Sequence, residues 1–333
     1  MLDFGQLGDV VLSLPALAAI RKRFPEARIT VMGGSAAALV VEMTGSANRT
    51  VAIDRVALRD GPKWESIRAM LRLVSEVRRA HYDLAIDLHS LSESNLLAWL
   101  SGAPERVFAE RQERSLGLLA TRRTPWEDRE KHRVDRYLDV LAPLGITGAP
   151  RIPKLPTRHQ DDEFVERTLQ EHGVTAEARL VGMFPGASQP NRRWALERFA
   201  EVAERLEKQD GARIVVFLGP EEAPVAGEMR AAFSSAAIVL DRLTLSQVAS
   251  AAARLRLLIS NDSGPMHLAA AVGTPVVLLL GAPVRGPYWF GPVGERHRIL
   301  LRSRLADIGA REVYETAREM LREEKSAVHS AVG

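Results

Sequence analysis

Residues 259–277, with the sequence ISNDSGPMHLAAAVGTPVV, carry the pattern from which the fold follows. An apolar run ends at Ser260, a polar turn leads to Pro265, and a helix of small residues precedes a second apolar run after Gly273. Proline is favoured at the first helical position because its missing N–H would lack a partner there anyway. The stretch therefore predicts a strand, a turn, a helix and a strand in succession, as in parallel α/β sheets.

The same alternation runs through the rest of the chain. It predicts strands at 28–32, 50–54, 83–87, 180–184, 213–218, 237–240, 257–260 and 275–280, and helices at 64–79, 196–209, 223–233, 245–254 and 265–272. Prolines and glycines punctuate residues 143–156 and predict an interdomain linker. We therefore expect two α/β domains, at 1–150 and 151–310, with a cleft between them, followed by a terminal helix and tail at 311–333.

Length and composition exclude several classes of protein. At 333 residues the chain exceeds a usual single core, and its 46% hydrophobic and 26% charged residues are typical of globular proteins. Cysteine is absent, and no histidines and carboxylates cluster at metal-ligand spacing, so no bound metal is predicted. No signal peptide precedes the first motif, and residues 273–275 (Gly-Thr-Pro) break the longest apolar stretch. A cytoplasmic protein is expected.

The net charge is +3, but basic residues are concentrated in the segment 106–136. They are Arg106, Arg111, Arg114, Arg122, Arg123, Arg129, Lys131, Arg133 and Arg136. The segment could contact anionic lipid headgroups at the inner membrane or a phosphorylated acceptor. Alternatively, these residues pair with the six carboxylates interspersed among them on an ordinary surface. Few aromatic residues are interleaved, so nucleic acid is not an expected partner.

Three turns after predicted strands favour a phosphorylated ligand. Backbone N–H groups at Ser263 and Gly264, with the side chain of Asp262, would hold a phosphate at a helix start, unless Asp262 or Ser263 only caps that helix. Residues 183–194, MFPGASQPNRRW, place Arg192 and Arg193 where they suit a diphosphate, although both could face solvent.

The third of these turns is residues 219–222, Gly-Pro-Glu-Glu. Its carboxylates could bind the hydroxyls of a ribose. Alternatively, they only form an acidic first turn of the following helix, which the helix dipole favours.

The opening stretch, residues 4–17 with the sequence FGQLGDVVLSLPAL, is a glycine-spaced turn into a helix. The turn leaves room for an acceptor and presents Asp9, whose alternative role is a helix N-cap. It lacks the lysine and serine or threonine of a P-loop and the third glycine of a dinucleotide fingerprint. Pro15 either kinks the helix or lies in its first turns, and residues 1–4 are barely long enough for a strand.

The pairing of residues 5–17 with residues 261–271 resembles glycosyltransferase family 9, the ADP-heptose:lipopolysaccharide heptosyltransferases. Five further segments also resemble parts of that family. They are residues 82–88, 100–104, 132–138, 184–188 together with Arg193-Trp194, and 286–288 together with His297. The resemblance implies a GT-B fold of two Rossmann-like α/β domains whose parallel sheets face a central cleft. It implies an N-terminal acceptor domain, a C-terminal donor domain, and inverting, metal-independent transfer from an ADP-sugar to an anionic inner-core glycolipid, without a cofactor.

The resemblance also assigns roles to residues. Asp9 matches the general base, Arg192 the group that stabilises the departing diphosphate, and Gly5, Gln6 and Gly8 the acceptor side. Donor and phosphate contacts fall on Ser188, Arg193, Glu221, Asp262, Ser263, Gly264 and His267, the last of which could instead brace the turn. Asp3 departs from the basic residue of many relatives and would hinder an anionic acceptor or face solvent.

Two competing functions remain open. One is a GT-B transferase or epimerase that uses a UDP- or GDP-sugar. The other is a catalytically silent sugar-nucleotide binding protein, which would keep the phosphate turn without needing Asp9.

Overall fold

The computed structural model describes residues 1–54, 62–111, 115–122, 126–281 and 287–332, which form two compact units, Met1–Pro153 and Lys154–Gly333. The boundary between the units lies within the proline-punctuated stretch 143–156. Among the described residues, no helix combines the length and the hydropathy needed to cross a bilayer.

The described part of the first unit is a five-stranded parallel sheet with helices packed on it. Its strands are β1 (Leu2–Asp3), β2 (Thr30–Gly33), β3 (Arg49–Ala52), β4 (Leu84–Asp87) and β5 (Glu105–Phe108). Its helices are α1 (Leu7–Arg23), α2 (Ser35–Thr44), α3 (Lys63–Arg79), α4 (Ser92–Leu100) and α5 (Arg133–Asp139). The strand order is β3-β2-β1-β4-β5, so β1 is the central strand although it has only two residues.

Helix α1 is apolar nearly all round because it is buried between other elements rather than lying on the surface. Val10 and Leu17 are fully buried, and each such side chain contributes about 1.5–3 kcal/mol through loss of contact with water. Pro15 lies well inside the helix and is buried, so the placement in the first turns is wrong. The buried helix fixes the turn that precedes it, which carries Gly5 and Gln6.

The described part of the second unit is a six-stranded parallel sheet. Its strands are β6 (Leu180–Phe184), β7 (Arg213–Phe217), β8 (Ile238–Leu240), β9 (Leu257–Asn261), β10 (Val276–Gly281) and β11 (Arg298–Arg302). Its helices are α6 (His159–Glu171), α7 (Leu196–Asp210), α8 (Ala226–Ala232), α9 (Leu245–Ala253), α10 (Gly264–Ala271), α11 (Pro287–Phe290) and α12 (Ala310–Val332). The strand order is β11-β10-β9-β6-β7-β8.

One predicted helix is wrong. The pattern at 223–233 predicted a continuous helix, but the structure has a 3-10 helix at Pro220–Val225 followed by α8. Pro224 has no N–H to donate and its ring clashes with the preceding turn, so the α-helix begins only after it. The change matters for the site because it turns Glu221 and Glu222 in different directions, as described below.

Each sheet has one point at which the order of its strands reverses. In the first unit the chain runs outward from β1 to β3 and then returns to β4 on the other side of β1. In the second unit the equivalent reversal lies between β6 and β9. Ligands of open α/β sheets bind at the carboxyl ends of the strands at such switch points. The turns after β1, β4, β6 and β9 are therefore where functional residues are expected.

Candidate active site

The first switch point carries Asp9, in the first turn of α1. The N-cap of α1 is Gln6, which is exposed and extended, and Asp9 is the third helical residue. The Gln6 N–H donates to Asp9 Oδ2 at 3.4 Å. The interpretation of Asp9 as the N-cap is therefore wrong, although the carboxylate does reach back to the cap. Its side chain is 23% exposed, which leaves the carboxylate accessible to water.

Two residues of α5 hold the Asp9 carboxylate from the other side. The Tyr137 hydroxyl lies 3.4 Å from Asp9 Oδ1, and Arg133 Nε lies 3.5 Å from the same oxygen. Burial, and secondarily the charge of Asp9, raise the pKa of Tyr137 well above its usual value, so its hydroxyl keeps the proton that it donates. Oδ1 therefore carries both contacts from α5, and Oδ2 carries the long bond from Gln6.

Behind Tyr137 the polar contacts continue into the core. Tyr137 Oη lies 3.3 Å from His89 Nε2, which lies 3.0 Å from Asp3 Oδ1. Asp3 is fully buried and also accepts from Ser13 Oγ at 2.5 Å and from the Gly5 N–H at 3.2 Å. Burial by itself would raise the pKa of Asp3, but the contacts with His89, Ser13 and Gly5 outweigh it and hold that pKa below its usual value.

Asp3 was expected either to hinder an anionic acceptor or to face solvent. The structure contradicts the second expectation because Asp3 lies inside the sheet, where its charge is compensated by hydrogen bonds. The burial of Asp3 also removes the reason to expect that it hinders an anionic acceptor, since a fully buried carboxylate presents no oxygen to a ligand. Asp3 instead helps to fix the turn that leads to Asp9.

The turn after β4 is built around a second buried carboxylate, Asp87. Its Oδ1 accepts from the N–H groups of His89 and Ser90, at 3.0 and 2.9 Å, and its Oδ2 accepts from Asn95 Nδ2 at 2.8 Å. Burial raises the pKa of Asp87 despite these bonds. Ser90 has a positive φ of 51°, a conformation that these bonds stabilise. Asp87 thereby orients the backbone from which the His89 ring projects.

Gly5 is required by a close approach rather than by its backbone angles. A Cβ atom at this position would lie 2.4 Å from Asp9 Cβ and 2.6 Å from His89 Nε2. Both distances are far below van der Waals contact, so the absence of a side chain lets the carboxylate and the imidazole lie side by side. Gly8 is half-buried in the first turn of α1 beside Asp9.

The second switch point is held together by Asn261, at the end of β9. Its Nδ2 donates to the Pro185 carbonyl at 2.8 Å, and its Oδ1 accepts from the Trp194 N–H at 3.1 Å. Trp194 is buried, and its Nε1 donates to the Ile308 carbonyl at 3.0 Å. The loop between β6 and α7 is thereby tied at both ends to the turn that begins α10.

The loop presents its two arginines differently. Arg192 is half-exposed, and its Nη1 lies 3.1 Å from Asp262 Oδ2. Arg193 is exposed and donates from Nε to the Ala187 carbonyl at 2.8 Å. Asp262 was expected to contribute its side chain to the phosphate turn, and in the structure that side chain contacts Arg192. Its contact shows that it orients the Arg192 guanidinium, which has five N–H donors and can bind a further anion.

The start of α10 has Ser263 as N-cap and Gly264 as first residue. The Ser263 side chain makes no capping hydrogen bond, and its Oγ lies 3.4 Å from Ser260 Oγ. The alternative in which Ser263 caps the helix is therefore right about its position, but the Ser263 side chain does not form the capping hydrogen bond. The first N–H groups of a helix need acceptors and attract anions, which is the property on which the phosphate prediction rests.

The remaining predicted donor residues are distributed as follows. Ser188 is exposed in the loop after β6, and Glu221 is exposed in the 3-10 helix after β7. Glu222, which the sequence did not single out, is 3% exposed, and its Oε2 accepts from the Gly219 N–H at 3.0 Å. A Cβ on Gly186 would lie 2.4 Å from Glu222 Oε1, so this carboxylate packs directly beneath the loop.

Two histidines of the second unit influence each other electrostatically: His267 lies within α10, and His297 directly precedes β11. His267 is 5% exposed, and its charge contributes to lowering the pKa of His297 to about 4, after the larger effects of burial and of Arg296. Residues 286–288 form one of the segments that resemble family 9. Gly286 lies outside the described residues, and the side chains of Pro287 and Tyr288 are not described. Within the part of the chain that the structure describes, no group of three His, Cys, Asp or Glu side chains could hold a metal ion.

The structure thus brings the predicted residues together in two groups, Gly5, Gln6, Gly8 and Asp9 in one unit and Arg192, Asp262, Ser263 and Gly264 in the other. Sequence reasoning missed the contributions of Asp3, His89 and Tyr137. Tyr137 is 128 residues from Asp9, and His89 is 48 residues from Tyr137. The available signal for His89 was a polar residue in the turn after a predicted strand, like Asp9 in the turn and first helical residues after β1.

Comparison with known proteins identifies the family to which the chain belongs. The sequence model described as "Glycosyltransferase family 9 (heptosyltransferase)" matches residues 70–314. Lipopolysaccharide heptosyltransferase 2 of Salmonella typhimurium is 27% identical over 307 residues, which cover 88% of this chain and 85% of that protein. The crystal structure of a family 9 glycosyl transferase from Veillonella parvula superposes with a TM-score of 0.85 at 26% identity, covering 97% and 96% of the two chains.

The structure of E. coli ADP-heptose lps heptosyltransferase II superposes with a TM-score of 0.80 at 23% identity, covering 97% of this chain and 98% of that one. These neighbours confirm the predicted GT-B fold with two parallel-sheet α/β domains. The chain therefore belongs to glycosyltransferase family 9 and is a glycosyltransferase.

Proposed function

We propose that the protein transfers a heptose from ADP-heptose to the inner core of a lipopolysaccharide, with inversion at the anomeric carbon and without a metal ion. The names of its relatives support the heptosyl group, the ADP-sugar and the lipopolysaccharide acceptor. The observation that carries the chemistry is Asp9, a partly exposed carboxylate at a switch point whose one oxygen is fixed by Tyr137 and Arg133.

Inversion requires a single displacement at the anomeric carbon. An enzyme base must take the proton of the acceptor hydroxyl, and the enzyme must stabilise the leaving group. Asp9 accepts the proton of the acceptor hydroxyl, that oxygen forms the new bond to the anomeric carbon, and the bond from this carbon to the ADP oxygen breaks. The proton ends on the carboxyl and the electron pair on the diphosphate. Because Oδ1 is engaged by two residues of α5, we assign the proton to Oδ2. A positioned base contributes about 10²–10⁴-fold.

The second switch point serves the leaving group. Arg192, oriented by Asp262, and the N–H groups at Ser263 and Gly264 stabilise the negative charge that develops on the diphosphate. Ser188 and Arg193 lie on the same loop and contact phosphate, and Glu221 contacts the ribose from the next strand's end. His267 braces the turn from inside α10, since it is buried.

Nucleotide preference tests the assignment first. Thermal unfolding should be followed with ADP, UDP and GDP at equal concentration, because a ligand at about a hundred times its dissociation constant stabilises by roughly 2.7 kcal/mol. We expect stabilisation by ADP, followed by transfer of heptose from ADP-heptose to a heptose-deficient core with an inverted linkage by NMR. EDTA should leave turnover unchanged. Stabilisation by UDP or GDP instead would contradict the donor, and binding of ADP without any transfer would favour a silent binding protein.

A further inference from the structure

Helix α3 carries an apolar strip on its outer face. Trp64, Ile67 and Leu71 are 59%, 61% and 65% exposed, and their spacing of three and four residues places them in one row. Isolated exposed apolar residues are ordinary, but three large ones in a row on one helix form a patch of the kind that marks an interaction site. Towards its C-terminal end the helix packs against the core of the first unit, through the buried Val77 and the partly buried Leu73 and Val74.

A basic strip runs beside the apolar one. Arg68 and Arg72 lie about one-quarter of a turn further round the helix, and Arg79 continues the strip at its end. Together with Arg49 of β3 these arginines line a shallow depression of about 740 Å³ that contains Leu71. One carboxylate, Glu76, also lines it and pairs with Arg49 at 2.5 Å, so the described charges in the depression remain strongly positive.

The basic segment 106–136 differs from α3 in this respect. Arg111 and Arg136 both pair with Glu127, at 2.7 and 3.5 Å. Arg122 pairs with Glu105 and Lys131 with Asp139. Arg114 and Arg123 lie outside the described residues. Within the described part, most of the positive charge of this segment is therefore paired with neighbouring carboxylates. This pairing favours α3 as the surface for an anionic partner.

We propose that α3 docks the protein on the surface of a bilayer containing anionic phospholipid. An interfacial helix has one apolar row, with a tryptophan at the headgroup level and adjoining basic residues, and α3 has each of these features. Trp64, Ile67 and Leu71 enter the boundary between headgroups and acyl chains, and the arginines pair with lipid phosphates. The charge complementarity selects a lipid surface over an apolar protein partner, and the inference does not depend on which sugar the enzyme transfers.

The test is flotation of the full-length protein with vesicles of phosphatidylcholine alone or with added phosphatidylglycerol. We expect binding to the anionic vesicles that weakens as salt is raised. Trp64→Glu combined with Leu71→Glu should weaken binding by at least about tenfold. Arg68→Ala combined with Arg72→Ala should weaken it roughly 30-fold, because each basic residue near an anionic surface contributes about 1 kcal/mol.

Leu118→Glu is the matched control, since Leu118 is fully exposed within the segment 106–136. It should bind vesicles as the wild type does, and all variants should retain the wild-type melting temperature because the changed side chains are exposed. Equal binding by the Trp64 and Leu71 double variant and the wild type would overturn the proposal, as would loss of binding in Leu118→Glu alone. A lipid-free dimer that the double variant dissociates would identify the face as a protein interface instead.

Discussion

The two switch points place their polar residues at opposite depths. At the first, Asp3, His89 and Tyr137 are all less than a tenth exposed, and only Asp9 at the end of the series reaches water. At the second, Asn261 and Trp194 are buried and fasten loops, whereas Arg192 and the start of α10 are accessible. Proton transfer needs a carboxylate held in one orientation, and diphosphate binding needs donors that stay open to a large anion.

Among substitutions that leave Asp9 in place, removal of the cation at the second switch point should have the largest effect. Arg192→Ala should lower kcat by about 10²–10³-fold, because it removes a charge-stabilising donor to the departing diphosphate. The measurement is steady-state turnover with saturating ADP-heptose. Arg193→Ala is the matched control and should lose much less, since the Arg193 Nε is already used by the Ala187 carbonyl. An equal loss in both variants would mean that the ion pair with Asp262 does not select Arg192 for this role.

Crowding the first switch point should cost somewhat less. Gly5→Ala introduces a Cβ that meets Asp9 Cβ and His89 Nε2, so the carboxylate must shift. A displacement of about 1 Å at a reacting group costs on the order of 10²-fold in turnover. Gly34→Ala is the control because a Cβ there meets nothing within 4 Å at the end of the adjacent strand. Comparable turnover in the two variants would show that the close approach at Gly5 does not position Asp9.

Loss of one hydrogen bond to Asp9 should have a smaller effect. Tyr137→Phe keeps the buried ring and removes the hydroxyl that donates to Oδ1, so we expect kcat to fall roughly 5- to 10-fold while KM for the donor is unchanged. Tyr314→Phe is the control, since the Tyr314 hydroxyl bonds to Gln209 and Asp210 in the other unit. A change in KM rather than kcat would mean that Tyr137 supports binding and not the orientation of the base.

The smallest effect concerns the stability of the second unit, beside the first residue of β11. The pKa of His297 is lowered from 6.5 to about 4, so between these pH values the unfolded chain binds the proton and the folded chain does not. The free energy of unfolding should therefore fall as pH decreases through this window, by up to about 1.4 kcal/mol per pH unit. In His297→Gln this contribution to the slope should be absent. Denaturant unfolding at pH 7 and pH 5 measures it, and identical slopes in the two proteins would contradict the burial of the neutral imidazole.

The fold could be predicted where the pattern of apolar residues is continuous. The strand at 180–184 coincides with β6 because its residues are buried on both faces. The strands Glu105–Phe108 and Arg298–Arg302 were missed because each lies at the edge of its sheet, where charged residues interrupt the apolar run. The helix at 223–233 was wrong because periodicity does not register the N–H that Pro224 lacks.

The candidate site was predictable to a similar extent. Asp9 and Arg192 could be selected because each follows a strand beside glycine or small residues. Asp3, His89 and Tyr137 could not, because their contacts depend on β4 lying beside β1 and on α5 packing against α1. These are contacts between distant parts of the chain, which a local pattern does not specify.

The most direct test of the division between the two switch points is the turnover of Asp9→Asn, measured together with its dissociation constant for ADP. Asparagine keeps the size of the side chain and its contact with the Gln6 N–H but does not accept the acceptor proton. We predict that turnover falls by about 10²–10⁴-fold while the affinity for ADP stays that of the wild type. Turnover at the wild-type level would contradict the assignment of Asp9 as the base, and a parallel loss of ADP affinity would contradict the separation of the two roles.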